Sequence, residues 1–279
     1  MQVQSHEHHC PIIFHSTMLT PIPAALLDTI TLADPSWHAI LLRGLTAAAA
    51  ADPHYFTTLA VQHYLPTGGR LLAAFAQPLD RVRYVLVGEG PYPRAQSATG
   101  VCFMDGAVGS LWSAEAGGGL SKPVNRATSL RNFMKMLLVA DGQLTAANSN
   151  AQALARIAAQ ARASASTTIQ TLRELQDNLT RHGFLLLNAA LVFRPNVPPA
   201  IEAKAWQPFV NVILESLLQR PAPAPTLVLW GKIAEQINRL PASAQFPRAV
   251  AEHPYNLSFI GNQDMQALFG PMHLLQKRN

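Results

Sequence analysis

Cysteine is nearly absent from this chain: Cys10 and Cys102 are the only two. Two thiols cannot hold an iron–sulfur cluster, which takes about four, and they supply no disulfide framework. A reducing, cytoplasmic setting is the simplest expectation. Charge is scarce as well. Acidic and basic residues make up 13% of the chain. The net charge of +5 permits contact with a polyanion without demanding it. No apolar run is long enough to span a bilayer, so no membrane partner is expected. The opening stretch, Met1 to His15, is polar and rich in histidine and lacks the pattern of a secretory signal. No internal repeat is present.

What the chain does have is apolar bulk. Hydrophobic residues make up 49% of its 279 positions, enough for one large α/β domain or two small ones. The reading adopted is a mobile tail over residues 1–20, followed by a single domain over 21–279 with an insertion near 141–166. In the tail, His6, His8, His9 and Cys10 could bind a metal, but a disordered polar tip is the commoner outcome of such a composition. No resident metal or cofactor is expected elsewhere.

Helical spacing runs from Leu26 to Leu45, with Asp34-Pro35-Ser36 as a start signal before Trp37. Further helices are expected at Tyr55–Tyr64, Arg70–Phe75, Thr128–Leu138, Thr168–Arg181, Trp206–Gln219 and Lys232–Leu240. The Gly-rich stretch from Gly109 to Gly119 has no periodicity and reads as a surface loop. Asp141 to Ser166, biased toward Ala, Asn, Gln and Ser, reads as the insertion, with helix over 151–163. Short apolar strands are expected at Val82–Val87, Phe184–Leu187, Thr226–Leu229 and Arg248–Ala251. Such strands, separated by helices, predict an α/β fold: a three-layer α/β/α arrangement around a central, mostly parallel four-stranded sheet.

The most informative stretch is the first strand and its exit, Tyr84-Val85-Leu86-Val87-Gly88-Glu89-Gly90-Pro91-Tyr92-Pro93. A tight turn and then an aromatic wall stand at the carboxyl end of a strand, where open α/β sheets bind ligands. Phe103 follows shortly after. The other strands end on Asn188, Gly231 and, past Glu252, His253. Residues at these tips would converge on one rim of a parallel sheet although far apart in the chain. Taken singly, each is explained by the need for caps and turns.

Taken in order, these segments resemble the uracil-DNA glycosylase superfamily, and family 1 most closely. The exit of the first strand, Gly88-Glu89-Gly90-Pro91-Tyr92-Pro93, resembles that family's Gly-Gln-Asp-Pro-Tyr-His loop. Ala127-Thr128-Ser129-Leu130-Arg131-Asn132 resembles its Pro-Pro-Ser-Leu-x-Asn loop. Leu185-Leu186-Leu187-Asn188-Ala189-Ala190-Leu191 resembles Leu-Leu-Leu-Asn-x-x-Leu, and His253-Pro254-Tyr255-Asn256-Leu257-Ser258 resembles His-Pro-Ser-Pro-Leu-Ser. Trp206 and Phe209 stand like its Trp-x-x-Phe.

The resemblance implies a monomeric DNA-repair enzyme that flips a uracil or related damaged base from DNA and hydrolyses its N-glycosidic bond. His253 and Glu89 would be catalytic. Gly88, Gly90, Tyr92, Phe103 and Asn188 would bind the base: Phe103 by stacking, Tyr92 by crowding C5 against thymine, Asn188 by reading the Watson–Crick edge. Ser129, Gly231 and Ser258 would grip phosphates, and Leu257 would wedge into the gap left by the flipped nucleotide. Lys122, Arg126 and Lys232 would add positive charge.

The chain departs from that pattern at one position above all. Gly90 stands where the family's catalytic Asp would be, so the implied chemistry is slow. Glu89 is the adjacent carboxylate, and Gly-Glu-x-Pro also resembles family 4 glycosylases, whose cluster cysteines are absent here. Pro93 replaces the family's His, and Tyr255-Asn256 replaces Ser-Pro. A catalytically degenerate glycosylase fold that binds DNA or a protein partner is the alternative.

Overall fold

A computed structural model describes residues 22–277. The expected tail, with its His6, His8, His9 and Cys10 cluster, lies outside the described residues. Four short strands form the sheet: β1 (Tyr84–Gly88), β2 (Phe184–Asn188), β3 (Thr226–Trp230) and β4 (Arg248–Ala251). All pair in parallel, in the order β2-β1-β3-β4. Gly88 is in register with Asn188 and Trp230 with Ala251, so the carboxyl ends share one rim.

Helices α1 (Ala24–Leu27), α2 (His38–Ala51) and α3 (Tyr55–Ala60) precede β1. Between β1 and β2 lie α4 (Lys122–Arg126), α5 (Thr128–Ala140), α6 (Ala151–Ala161) and α7 (Leu172–Arg181). Then α8 (Pro199–Leu218) and α9 (Ile233–Asn238) flank β3, and α10 (Gln263–Phe269) follows β4.

Side chains alternate across each strand, and this splits the apolar residues between two cores. Val85, Val87, Leu185, Leu187, Leu227 and Leu229 pack with Leu41, Trp206, Phe209 and Ile213 on one face. Leu86, Phe184, Leu186, Val228 and Trp230 pack with Phe133, Leu137, Leu175, Met265 and Phe269 on the other. Coverage on both faces explains why β1, β2 and β3 read as unbroken apolar runs, whereas β4, at the sheet edge, is mostly exposed before Ala251. The expected three-layer α/β/α fold is present.

Several boundaries differ from the sequence reading, for local reasons. The helix expected from Leu26 to Leu45 is interrupted: the Asp34 N–H donates to the Phe75 carbonyl at 2.9 Å, the Asp34 carboxylate accepts from the Ser36 N–H at 3.0 Å, and regular helix starts at His38. The helix expected from Thr168 starts at Leu172, because Thr171 and Glu174 form a reciprocal capping box there. Helix α8 begins well before Trp206, with Pro199 at its first position.

The 109–119 stretch is not a free surface loop. It buries Leu111 and Trp112, and the Trp112 indole N–H donates to the Ile169 carbonyl at 2.7 Å. The segment read as an insertion carries α6, capped by Asn150. The apolar face of α6, including Leu154, Ile157 and Ala158, belongs to the second core.

The loop leaving β2 is anchored by a buried ion pair. Arg194 donates through Nε to Glu202 at 2.5 Å, with side chains only 8% and 2% exposed. The Tyr55 hydroxyl donates to the same carboxylate at 2.5 Å, the Trp206 indole donates to Tyr55 at 2.8 Å, and the guanidinium sits 5.2 Å from the Tyr55 ring centre. Removing one partner of such a pair leaves the other charge buried and costs about 3–5 kcal/mol. Arg194→Met should therefore lower stability by about that much in urea unfolding. The double variant Arg194→Met, Glu202→Leu should recover part of the loss, because it leaves no uncompensated charge.

Candidate active site

The tips of all four strands meet around one cavity of about 210 Å³. Gly88, Glu89, Gly90 and Tyr92 reach it from the β1 exit, Phe103 from the following segment, and Ser129 from the start of α5. Asn188 ends β2, Trp230 ends β3, and His253 follows β4. Eight of the residues singled out in the sequence thus line a single space.

Backbone contacts set the approach of the first two tips. The Ala189 N–H donates to the Gly88 carbonyl at 2.8 Å and the Ala190 N–H to the Glu89 carbonyl at 3.1 Å, so parallel pairing continues past the strand ends. A Cβ on Gly88 would stand 2.8 Å from the Cys102 Cβ and 2.9 Å from the Asn188 Oδ1. Only glycine admits that contact. Cys102 lies buried below. Burial pushes its thiol well up, and its Sγ contacts the Leu86 carbonyl at 3.2 Å, so it is an unreactive neutral thiol.

Asn188 is 4% exposed, and its buried Oδ1 has no hydrogen-bond partner. A buried carbonyl left unpaired costs about 1–3 kcal/mol. It asks for a donor from whatever fills the cavity. His253 carries the opposite demand. The Tyr255 backbone N–H donates to its Nδ1 at 3.1 Å. Burial lowers its pKa from 6.5, against a smaller upward pull from the Glu89 charge. The ring is therefore neutral at pH 7, with its proton on Nε2, and offers that N–H as a donor.

The aromatic walls are held rigidly. Phe103 adopts the left-handed backbone region, φ 65°, a strained conformation for a bulky residue. Its ring packs edge-on against Phe133 at 5.3 Å and Trp230 at 5.2 Å. The Tyr92 hydroxyl reaches the Phe103 carbonyl at 3.4 Å. Its pKa is pushed up to about 12, chiefly by burial and then by the Asp105 charge, so it stays protonated.

Three expected site residues stand outside the cavity lining. Gly231, at φ +68°, would place a Cβ 2.8 Å from the His253 Cβ, so its glycine makes room for the histidine. Leu257 is exposed at the start of the 257–261 turn. Burial tends to raise the Glu252 pKa, but hydrogen bonds from Ser258 and Asn262 hold it below the usual range.

One residue of structural importance was not assigned a role from sequence. Asn132, fully buried on α5, donates through Nδ2 to the Pro254, Tyr255 and Asn256 carbonyls at 2.8, 3.2 and 3.4 Å. It holds the loop that carries His253. The available signal was an amide on the apolar face of α5 among Leu130, Phe133 and Met134. Trp230 was likewise visible only as an apolar strand end. Among the described residues, no cluster of His, Cys, Asp or Glu could hold a metal ion, and no helix is long and apolar enough to cross a membrane.

No protein-family model matches the chain. Curated relatives include a uracil-DNA glycosylase of Nocardioides sp., 27% identical over 195 residues, covering 70% of this chain and 66% of that protein. Uracil-DNA glycosylase 1 of Streptomyces coelicolor is 28% identical over 200 residues, covering 70% and 68%. The matched stretch spans about two thirds of the length of these relatives. Among solved structures, the wild-type UNG of Nitratifractor salsuginis is 39% identical, with a TM-score of 0.80, over 91% of this chain and 97% of that one. A tyrosine-to-glycine variant of that UNG matches at 38% and 0.80. Identity at that level, sustained over nearly the whole of a solved relative, goes beyond a shared α/β architecture, and the chain belongs to the uracil-DNA glycosylase superfamily.

Proposed function

We propose that this protein is a base-excision repair glycosylase that takes uracil, or a related damaged base, out of DNA and hydrolyses its N-glycosidic bond, in the manner of family 1. The observation that carries this reading is the unpartnered Asn188 carbonyl in a cavity that also holds the Nε2–H of a neutral His253. A uracil ring offers the matching groups, an N3–H donor and carbonyl acceptors.

In this reading the flipped base lies against Phe103, and Asn188 accepts from N3–H and donates to O4. As the glycosidic bond lengthens, negative charge builds on the base. The His253 Nε2–H stabilises it at O2, and one preorganised donor of this kind contributes roughly 3–4 kcal/mol. Tyr92 fills the space that a C5 methyl would need, which disfavours thymine. Positive charge builds on the sugar. Gly90 offers it no side chain, and the exposed Glu89 carboxylate, which also lines the cavity, takes that role and holds the attacking water. Loss of a well-placed acid–base group costs about 100- to 10,000-fold, so turnover is slow.

Ser129 at the cavity wall, and Ser258 and the Gly231 backbone outside it, contact phosphates, Leu257 wedges into the gap left by the flipped nucleotide, and Lys122, Arg126 and Lys232 add attraction. The protein acts as a monomer in this reading. The free thiol of Cys102 suits the cytoplasm. Gly90 also motivates a second reading, a glycosylase fold that binds DNA or a protein partner without cleaving.

An excess of protein over a uracil-containing single-stranded oligonucleotide should release uracil and leave an alkali-labile abasic site. Asn188→Ala and His253→Ala should each slow release by about 100-fold or more; absence of product with intact binding would favour the second reading. Restoring the acid is the converse test. A Cβ at position 90 would make only ordinary contacts, at 3.5 and 3.6 Å to Ala190. Gly90→Asp therefore fits, and should accelerate release by about 100-fold.

The neutral state of His253 has its own signature. Because its folded pKa lies below 6.5, the unfolded chain takes up the proton first as pH falls. The contribution of the neutral ring to stability is thus full above pH 6.5 and is lost on acidification below it. Urea midpoints between about pH 7.5 and 5 should fall more steeply for the wild type than for His253→Ala. The reverse order would mean a charged ring in the native state.

A further inference from the structure

A second cavity, of about 520 Å³, adjoins the first and shares Tyr92 and Ser129 with it. Its lining also includes Arg94, Arg126, Asp105 and Tyr255. Tyr255 is 67% exposed, a large aromatic surface to leave in water. It is nevertheless fixed at its backbone. Its N–H is held by the His253 Nδ1 at 3.1 Å and its carbonyl by the buried Asn132 amide at 3.2 Å. An exposed aromatic ring on a clamped loop has the form of a stacking platform, for which the ordering cost is largely met before a ligand arrives.

The charges around it complete the pattern. Arg94 meets the Asp105 carboxylate at 3.4 Å, and its side chain is 69% exposed against 6% for Asp105. Asp105 is held from behind by the Ala107 N–H at 2.9 Å. The acid is therefore turned inward and tethers a guanidinium that faces solvent. Arg126, at the end of α4, is exposed on the same cavity. Two forked cations beside an aromatic face match a nucleotide, with its planar base and bridging phosphate.

We propose that this cavity is a subsite for the nucleotide next to the flipped one on a single strand. Its base stacks on Tyr255, and the phosphate that joins it to the flipped nucleotide lies against Arg94 and Arg126. The assignment rests on the glycosylase reading, because the shared Tyr92 and Ser129 make the two cavities neighbours along one strand. It also specifies the form of DNA. In a duplex the neighbouring base is kept by its own partner and stack, so the platform acts chiefly on single strands.

The test uses the full chain and a single-stranded oligonucleotide with 2′-fluoro-deoxyuridine, which resists cleavage, with binding read by fluorescence anisotropy. Two further oligonucleotides carry a baseless tetrahydrofuran residue immediately 5′ or immediately 3′ of the uracil. Wild-type protein should lose about tenfold in affinity for one of these two. Tyr255→Ala should lose about the same on the intact strand, be indifferent to the missing base, and lose less on a duplex. Tyr255→Phe should behave as wild type.

Indifference of the wild type to both missing bases would overturn the subsite. So would an equal loss for Tyr255→Ala on all three strands, or a Tyr255→Phe loss as large as that of Tyr255→Ala. Uracil release from cleavable DNA, followed in parallel, keeps the two claims apart. Release with an indifferent Tyr255 removes the subsite alone, whereas no release and no preference for uracil over thymine removes the glycosylase reading and the subsite with it.

Discussion

Parallel pairing of four very short strands is the constraint on which the rest of the molecule depends. A parallel sheet cannot be closed by tight hairpins; each return to the starting edge needs a long crossover. The chain therefore reaches the same rim four times, from stretches that are remote in sequence. The register of Gly88 with Asn188 and of Trp230 with Ala251 then fixes how closely the tips approach. Two glycines set the limit. At Gly88 and Gly231 an added Cβ would meet the Asn188 amide or the His253 side chain below 3.0 Å. The polar groups of the cavity are thus placed by backbone spacing first and by side-chain packing second.

On that frame the cavity holds costs that the cores do not. The Asn188 carbonyl is buried without a partner, and Phe103 keeps a left-handed backbone. Each is worth about 1–3 kcal/mol against folding. They persist because the surroundings over-determine them. Phe103 is gripped by Phe133 and Trp230, and Asn188 sits in a strand buried at every position. A ligand with a donor at the right place would return part of that cost on binding, which is a physical reason for a planar ring with an N–H edge to be preferred.

The first three strands and their tips were legible in the sequence because a strand covered on both faces needs an apolar residue at nearly every position, and a polar or glycine residue after such a run stands out. Helix limits were less legible. Asp34 breaks the first helical pattern by bonding to Phe75 across the fold, a partner that local periodicity does not reveal. Thr171 and Glu174 stop the α7 pattern short by a local box that was available to be read. Asn132 escaped assignment for a different reason. Its three acceptors lie beyond position 250, so only the three-dimensional loop explains why an amide interrupts an apolar helix face. Tyr255 could be read only as a departure from a motif; its exposure and its clamped backbone belong to the folded state.

Gly90 bears on chemistry more than on architecture. Cleavage of the glycosidic bond must manage negative charge on the base and positive charge on the sugar. The groups suited to the first task sit on the tips of β2 and after β4, while the position suited to the second sits on the β1 exit. Because these elements are held by separate contacts, a side chain can be lost from one without disturbing the others. The leaving-group site proposed at the neutral His253 and the Asn188 amide does not depend on what occupies position 90. A protein that only gripped DNA would need neither an orphaned buried carbonyl nor a histidine held neutral with its donor directed by a backbone amide. That arrangement suits a site where charge develops on a departing base, and it supports the proposed enzyme over an inert fold.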